Sequence, residues 1–275
     1  MGFFRKICIT FNTLKAVAFV TYKEWAAYRS HILVSLFTGP VYFLVQYFIW
    51  KAVYTGHHVI NGFSFQQILA YYGLATIINY LIMDFADWNL QMLIRTGRFI
   101  TFLLRPLSHR FFAFSQKVGH RILGFWLEFI PVYLLFFFVF HIKLIPARPF
   151  WFILSLVLSF SIMFYINYCV GIAGFWLTRT AGIMEMFRIM RNLFSGIYVP
   201  LSFFPMVIQR IFFFLPFQFI VYTPFRVFLG SYELAGISLS IPWIILLQAG
   251  MLVLVILISE ILWRLGIRRF TGVGA

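Results

Sequence analysis

The sequence predicts an all-α polytopic membrane protein with six transmembrane helices, an N-terminal amphipathic interfacial helix and an outer re-entrant helical segment. Three observations carry that expectation. The chain is 63% hydrophobic and only 11% charged, with 38 Phe in 275 residues, more apolar surface than one soluble core could hide. Apolar blocks recur at about the 20-residue length that crosses a ~30 Å hydrocarbon core as a helix. The basic residues fall between those blocks and are biased to one side. With both termini inside, Lys51, Lys143, Arg148, Arg210 and Arg226 are outside and the other 17 of the 22 Lys and Arg are inside. A formal charge of +15 in a soluble chain would point to nucleic acid; here its placement assigns it to membrane topology, with the lipid bilayer and no nucleic acid as partner.

The elements follow in order. Residues 3–28 are no signal peptide, because Lys15 and Lys23 interrupt them. Phe4, Ile7, Phe11, Leu14, Ala18, Tyr22 and Trp25 recur at spacings of three and four, which predicts an amphipathic helix lying in the membrane interface, with Ile9 and Val20 off the pattern. A first span runs from about Ile32 to Val53, kinked or shifted at Gly39-Pro40. The polar loop TGHHVINGFS follows; its adjacent His57 and His58 cannot share a helical face and have no third ligand nearby, so no metal site is expected. Phe65 to Met83 is a second span with Asn79 as a polar interior position, and Asp84 and Asp87 end it.

Residues 89–121 then form a basic loop, at whose centre lies RTGRFITFLLRPLSHR. Arg95, Arg98, Arg105 and Arg110 surround an apolar core containing Phe99, Phe102 and Leu103, and Pro106 stops any helix. Arg98 and Arg105 would lie a heptad apart on one face of a short helix able to meet a partner. An ordinary positive-inside loop needs no such apolar content. Leu123 to His141 makes a third span with Glu128 and Pro131; Glu128 reads equally as a functional group or as a structural partner of Arg121. Lys143 to Pro149 is a tight loop, and Phe150 to Leu177 a fourth span in which Asn167 is polar and Gly171 and Gly174 permit close helix packing. Arg179, Arg188, Arg191 and Glu185 form the next basic loop before a fifth span at about Met190 to Pro200. Pro200, Pro205, Pro216 and Pro224 break residues 201–230 into pieces that enter the membrane without crossing it. Ile241 to Trp263 is the sixth span. Cys8 and Cys169 suggest neither a disulfide nor a metal.

No GxxxxGK[ST], HExxH, GxSxG or Cys/His cluster occurs, so no catalytic site and no route to ATP binding is read in this chain. The order of features, however, resembles the permeases of ABC type-2 transporters, and within them the bacterial exporter branch that includes viologen- and drug-exporter permeases. The residues that carry the resemblance are IRTGRFITFLLRPLS (Ile94 to Ser108), then Gly196, Pro200, Leu201 and Pro205, then Leu215 to Phe217 with Pro224 and Gly230. It covers nearly the whole chain as one permease domain. It implies that the loop containing Arg95, Arg98, Phe99, Phe102, Leu103, Arg105 and Pro106 is a coupling helix docking on a separate ATPase subunit. ATP and Mg would be bound there and no cofactor by this chain. The N-terminal helix would be the connecting helix. A second permease, the same or a related chain, would complete the path in a bacterial cytoplasmic membrane with both termini cytoplasmic. Gly196, Pro200, Phe213 and Phe217 would form an outer gate, an apolar plug over the path, and Asn79 and Asn167 would line that path. The substrate would be lipid-like or drug-like. An ion-coupled carrier without an ATPase is the alternative reading, wanting charges at the bilayer midplane, where Glu128 is the nearest candidate; an intramembrane enzyme lacks a converging polar cluster.

The orientation is directly testable. Cysteines at Gly56 and Ala147 should react with an impermeant thiol reagent applied to intact cells, and Ser108→Cys should not. Labelling at Ser108 would overturn the assignment of inside and outside.

Overall fold

The computed structural model describes residues 3–27, 29–140, 144–177 and 180–270 of the chain, with the side chains of 3–8, 29–33 and 35 outside that description. The expectations for His141, Lys143 and Arg179, and for the side chains of Phe4, Ile7, Cys8 and Ile32, therefore fall outside the described residues. What is described is helical apart from two hairpins and short connections. Four of its helical stretches are long and apolar enough to cross a membrane: Phe65–Arg95, His109–Phe138, Pro149–Phe175 and Ile241–Ile267.

The first helix is α1 (Phe3–Ala27), and four residues of its expected apolar face, Leu14, Ala18, Tyr22 and Trp25, share one side. Leu14, Val17, Ala18, Thr21, Tyr22 and Trp25 turn inward, while Phe11 is 64% exposed and faces away, with Ile9 and Val20. The inward face lies along α6 (His109–Gly124). Contact is so close that a Cβ on Gly119 would stand 2.2 Å from the Ala18 carbonyl oxygen.

The second helix, α2 (Arg29–Val53), is a single helix with Pro40 inside it. The Gly39 N–H donates to the Tyr80 hydroxyl of the neighbouring helix at 2.8 Å, and the Tyr80 ring occupies the space a Gly39 side chain would need. A neighbouring helix thus supplies the polar group that a proline-containing helix lacks internally. The TGHHVINGFS loop is a small hairpin, β1 (Val59–Ile60) against β2 (Phe63–Ser64), because Asn61 and Gly62 both take positive φ and close a two-residue turn. Ser64 then opens α3 (Phe65–Ile82) with a capping box to Gln67.

α3 stops at Met83–Phe85 and resumes as α4 (Ala86–Arg95), so the apolar run does not end at Asp84. After the four-residue α5 (Ile100–Leu103), Ser108 caps α6, which continues through a π-helical turn (Phe125–Phe129) into α7 (Ile130–Phe138). The helix that carries the expected third span therefore begins at His109, ahead of Leu123. Residues 109–121, expected as the end of the basic loop, are helical, and Lys117 and Arg121 pair there with carboxylates. α8 (Pro149–Ile172) is the central helix, packed on α12 (Ile241–Ile267), α4, α3 and α11 (Tyr222–Leu229). Gly171 and Gly174 are where α4 lies against it: added Cβ atoms would be 3.0 Å from the Asp87 Cα and 3.3 Å from Gln91 Cγ.

The fifth helix is displaced from its expected place. α9 runs Ala181–Phe194, and residues 195–200 are not helical. At 14 residues it is roughly 21 Å long, shorter than a ~30 Å core. Residues 196–198 turn away because three tyrosine hydroxyls take their carbonyls: Tyr71 on Gly196, Tyr42 on Ile197 at 3.0 Å and Tyr72 on Tyr198 at 2.8 Å. The proline-rich segment then folds as α10 (Met206–Phe214) and α11, joined by short 3-10 turns, each of the two helices too short to cross a membrane. Glutamine side chains satisfy its free backbone. Gln209 donates to the Phe204 carbonyl at 2.7 Å and Gln218 to the Phe213 carbonyl at 2.6 Å. Fully buried Gln248 of α12 donates to Ser159 Oγ of α8 at 2.9 Å and to the Phe219 carbonyl at 3.0 Å. A second two-residue hairpin, β3 (Tyr232–Leu234) with β4 (Ile237–Leu239), leads into α12.

The α1–α6 contact yields a direct test. Gly119→Leu should separate the two helices at a cost of about 1–3 kcal/mol for overpacking, seen as faster tryptic cleavage at Lys15 and Lys23. Gly182→Leu, into open space, should leave the cleavage rate unchanged.

Candidate functional site

The break at Met83–Phe85 adjoins a cavity of about 940 Å³, walled by α1, α2, α3, the start of α4, α6 with its π turn, α8 and α9. Most of the wall is apolar or aromatic, including Trp25, Tyr42, Trp88, Met163 and Tyr198. Charged groups gather along one side of it, and an apolar interior tolerates them only when they are paired.

Asp84 sits at the break. Its Oδ2 accepts from the Ala86 N–H at 2.9 Å and from Asn167 Nδ2 at 3.1 Å, while Lys117 Nζ lies 3.7 Å from its other oxygen. Asn167 also donates to the Asp84 carbonyl, and its own carbonyl oxygen accepts from Arg191. α8 thus places one amide between an acid of the break and a cation of α9. One turn further along α6, Arg121 is 3.5 Å from Glu128 and donates at 2.5 Å to the Tyr80 carbonyl, near the open end of α3. Gly124 makes room for this pair, since a Cβ there would meet Glu128 Oε2 at 2.8 Å. The π turn sets Glu128 seven residues from Arg121 on the same side of the helix.

Asn79 lines the cavity. Asn167 is fully buried beside it and spends its amide on Asp84 and Arg191, so it acts as a bridge rather than as lining. Glu128 is the partner of Arg121. Sequence reading missed Asp84, Lys117 and Arg191 as members of a site, having placed them at span ends and in loops. The available signal was that each is a charge within helical reach of an apolar run.

The loop between α4 and α6 departs from expectation. Phe99 is completely buried in this chain's own core, ringed by His109, Phe175, Trp263 and Phe270 at centroid distances of 5.2–5.8 Å. It cannot serve as a partner anchor. Phe102 is half-buried on His109 at 4.8 Å, with the Arg105 guanidinium 4.4 Å over its ring. α5 is too short to hold both Arg98 and Arg105, so they share no helical face. What it does present outward is Ile100, Leu103 and Leu104, the last 82% exposed, with Arg95, Arg98, Arg105 and Pro106 also exposed around them.

At the other end, Gly196 has φ +88°, and any side chain would strike the Tyr71 hydroxyl at 2.7 Å. Pro200 leads into a 3-10 turn. Phe217 is buried within the chain against Phe187 and Phe194 at 5.8 and 5.9 Å; its surface is spent on α9 rather than left for a plug. Phe213 is half-buried and meets Phe214 edge-on at 5.4 Å, and Phe214 is the outward-facing ring.

The charge network makes a falsifiable claim about stability. Lys117→Met strands Asp84 and should cost about 3–5 kcal/mol, the usual result of removing one partner of a buried pair. Adding Asp84→Asn, which keeps an acceptor for Ala86 and Asn167, should restore most of the loss. Thermal unfolding of the purified single and double variants reads both effects.

A family model described as ABC-2 family transporter protein matches residues 41–274 of the chain. No curated protein and no solved structure matches it.

Proposed function

Because the chain belongs to the ABC-2 transporter family, we propose that it is the membrane-spanning permease subunit of an ATP-driven exporter, powered by separate ATPase subunits. The observation that carries this reading is the tip between α4 and α6: a rigid turn whose apolar residues Ile100, Leu103 and Leu104 are exposed amid arginines. Apolar side chains at the end of two long helices, away from the core, are what a docking surface requires. Phe99 fixes that turn from beneath. Motion of an ATPase against it would therefore be passed directly to α4 and α6, whose other ends wall the cavity. ATP and Mg belong to the partner, since this chain carries no phosphate-binding loop.

In this reading the cavity is one half of a path completed by a second permease. α2 and α9, the latter continued by its unwound end, count with the four longer stretches as six spans. The segment from Leu201 to Gly230 is re-entrant on the outer side, its free carbonyls taken by Gln209, Gln218 and Gln248. The bias of basic residues supports termini on the cytoplasmic side of a bacterial inner membrane. An ion-coupled carrier is less favoured, because the buried carboxylates Asp84 and Glu128 already face cations at 3.7 and 3.5 Å.

Docking is tested by retention of the ATPase on the purified permease. Leu103→Ala with Leu104→Ala should lower retention about tenfold or more, as loss of an apolar anchor does. Arg98→Ala should change it by less than about threefold, since an exposed ion pair contributes ~0–1 kcal/mol. Equal retention in both would make the turn a passive connection.

A further inference from the structure

Of the charged groups on the cavity wall, Asp84 is matched by Lys117, Glu128 by Arg121 and Glu185 by Arg188. Two are left over. Arg191 of α9 is only 7% exposed, yet its guanidinium is held by neutral amide oxygens, those of Asn167 and Asn192, and makes no ion pair among the described residues. Its Nε has no partner there at all. Asp87, at the start of α4, accepts from the Trp88 N–H at 2.8 Å and likewise has no cation in ion-pair contact among the described residues. Both line the same cavity, Asp87 from α4 and Arg191 from α9; each feels the other's charge without an ion-pair contact between them.

A buried guanidinium without a carboxylate is expensive, and a charge at membrane depth marks a functional position by default. Here a cation and an anion, not in ion-pair contact, line a space whose wall also carries Trp25, Trp88, Tyr42 and Tyr198. The two neutral amides fix the direction of Arg191 without cancelling its charge. We propose that the cavity binds a zwitterionic amphiphile, its oxyanion on Arg191, its ammonium on Asp87 and its apolar body against the aromatic wall. The volume of about 940 Å³ holds such a head group together with part of a chain. This deepens the permease reading and rests on it, by naming the class of molecule that the path accepts. A phospholipid with an amine head group and a free amphiphile of the same charge pattern share this chemistry.

The test uses the full-length chain in nanodiscs of phosphatidylglycerol, with empty nanodiscs as the reference. Four short probes share one alkyl group: butyl phosphoethanolamine, butyl ethyl phosphate (a monoanion like the diester of the zwitterion), butylamine and butanol. Quenching of tryptophan fluorescence, to which Trp25 and Trp88 contribute from the wall, reads binding. The zwitterion should bind at least about tenfold more tightly than either singly charged probe, one ion-pair contact being enough for that factor in a desolvated site. Asp87→Asn should remove its advantage over the phosphate, and Arg191→Gln its advantage over the amine, while Arg191→Lys retains it. Should Arg191→Gln not fold, Asp87→Asn decides alone, by weakening zwitterion and amine but sparing the phosphate. Competition by phosphatidylethanolamine assigns the site to a lipid, and lack of it to a free amphiphile; both support the zwitterion. Equal binding of all four probes overturns the proposal, as do zwitterion affinities unchanged by Asp87→Asn and Arg191→Gln, which would make the two charges structural only. No ATPase is needed in this measurement. A failed docking experiment and a failed binding experiment are therefore separate results.

Discussion

The interaction on which this structure depends is the pairing of Asp84 with Lys117 inside an apolar protein, extended through Asn167 to Arg191. Desolvating either charge alone costs several kcal/mol, so the two can enter the interior only together. Meeting that condition brings four elements to one place: the break between α3 and α4, the inner face of α6, α8 and α9. It also decides where the break lies. Asp84 holds the first N–H of α4 while α3 ends just before it, and the Tyr80 carbonyl, near that end, is taken by Arg121. The cavity adjoins that interruption, which is stable because charged side chains occupy its loose ends.

The same rule governs the opposite end of the molecule with neutral groups. A segment rich in proline cannot satisfy its own backbone, and in an apolar setting each unsatisfied carbonyl costs several kcal/mol. Tyr42, Tyr71 and Tyr72 supply hydroxyls to residues 196–198, and Gln209, Gln218 and Gln248 supply amides to residues 204–219. Gln248 reaches α8 as well, so the outer segment is tied to the central helix rather than left on the surface. Two ends of different chemistry are thus fixed to α8, with the cavity between them.

Division of labour within the α4–α6 turn follows from burial. Phe99 is spent on the chain's own aromatic cluster with Trp263 and Phe175, which makes the turn stiff. Leu103 and Leu104 remain outside because four helical residues have no second face with which to cover them. A stiff support beneath an apolar tip is suited to passing on a push, whereas a tip without Phe99 would yield to it.

Much was legible in the sequence by itself: the membrane class, the amphipathic first helix, the long apolar helices, the close packing at Gly171 and Gly174, and the unusual turn around Phe99. These depend on composition and on spacing along one chain, which local physics fixes. The sequence by itself placed Lys117 and Arg191 in basic loops, because a charge without a visible partner belongs in water, and left Glu128 open as a partner of Arg121. Only the tertiary structure turned Lys117 and Arg191 inward, since their partners Asp84 and Asn167 lie on other elements of the chain. For the same reason Phe99 and Phe217 could not be told from outward-facing neighbours such as Leu104 and Phe214. Which aromatic ring is buried depends on what another helix brings to it, and no spacing within the turn encodes that.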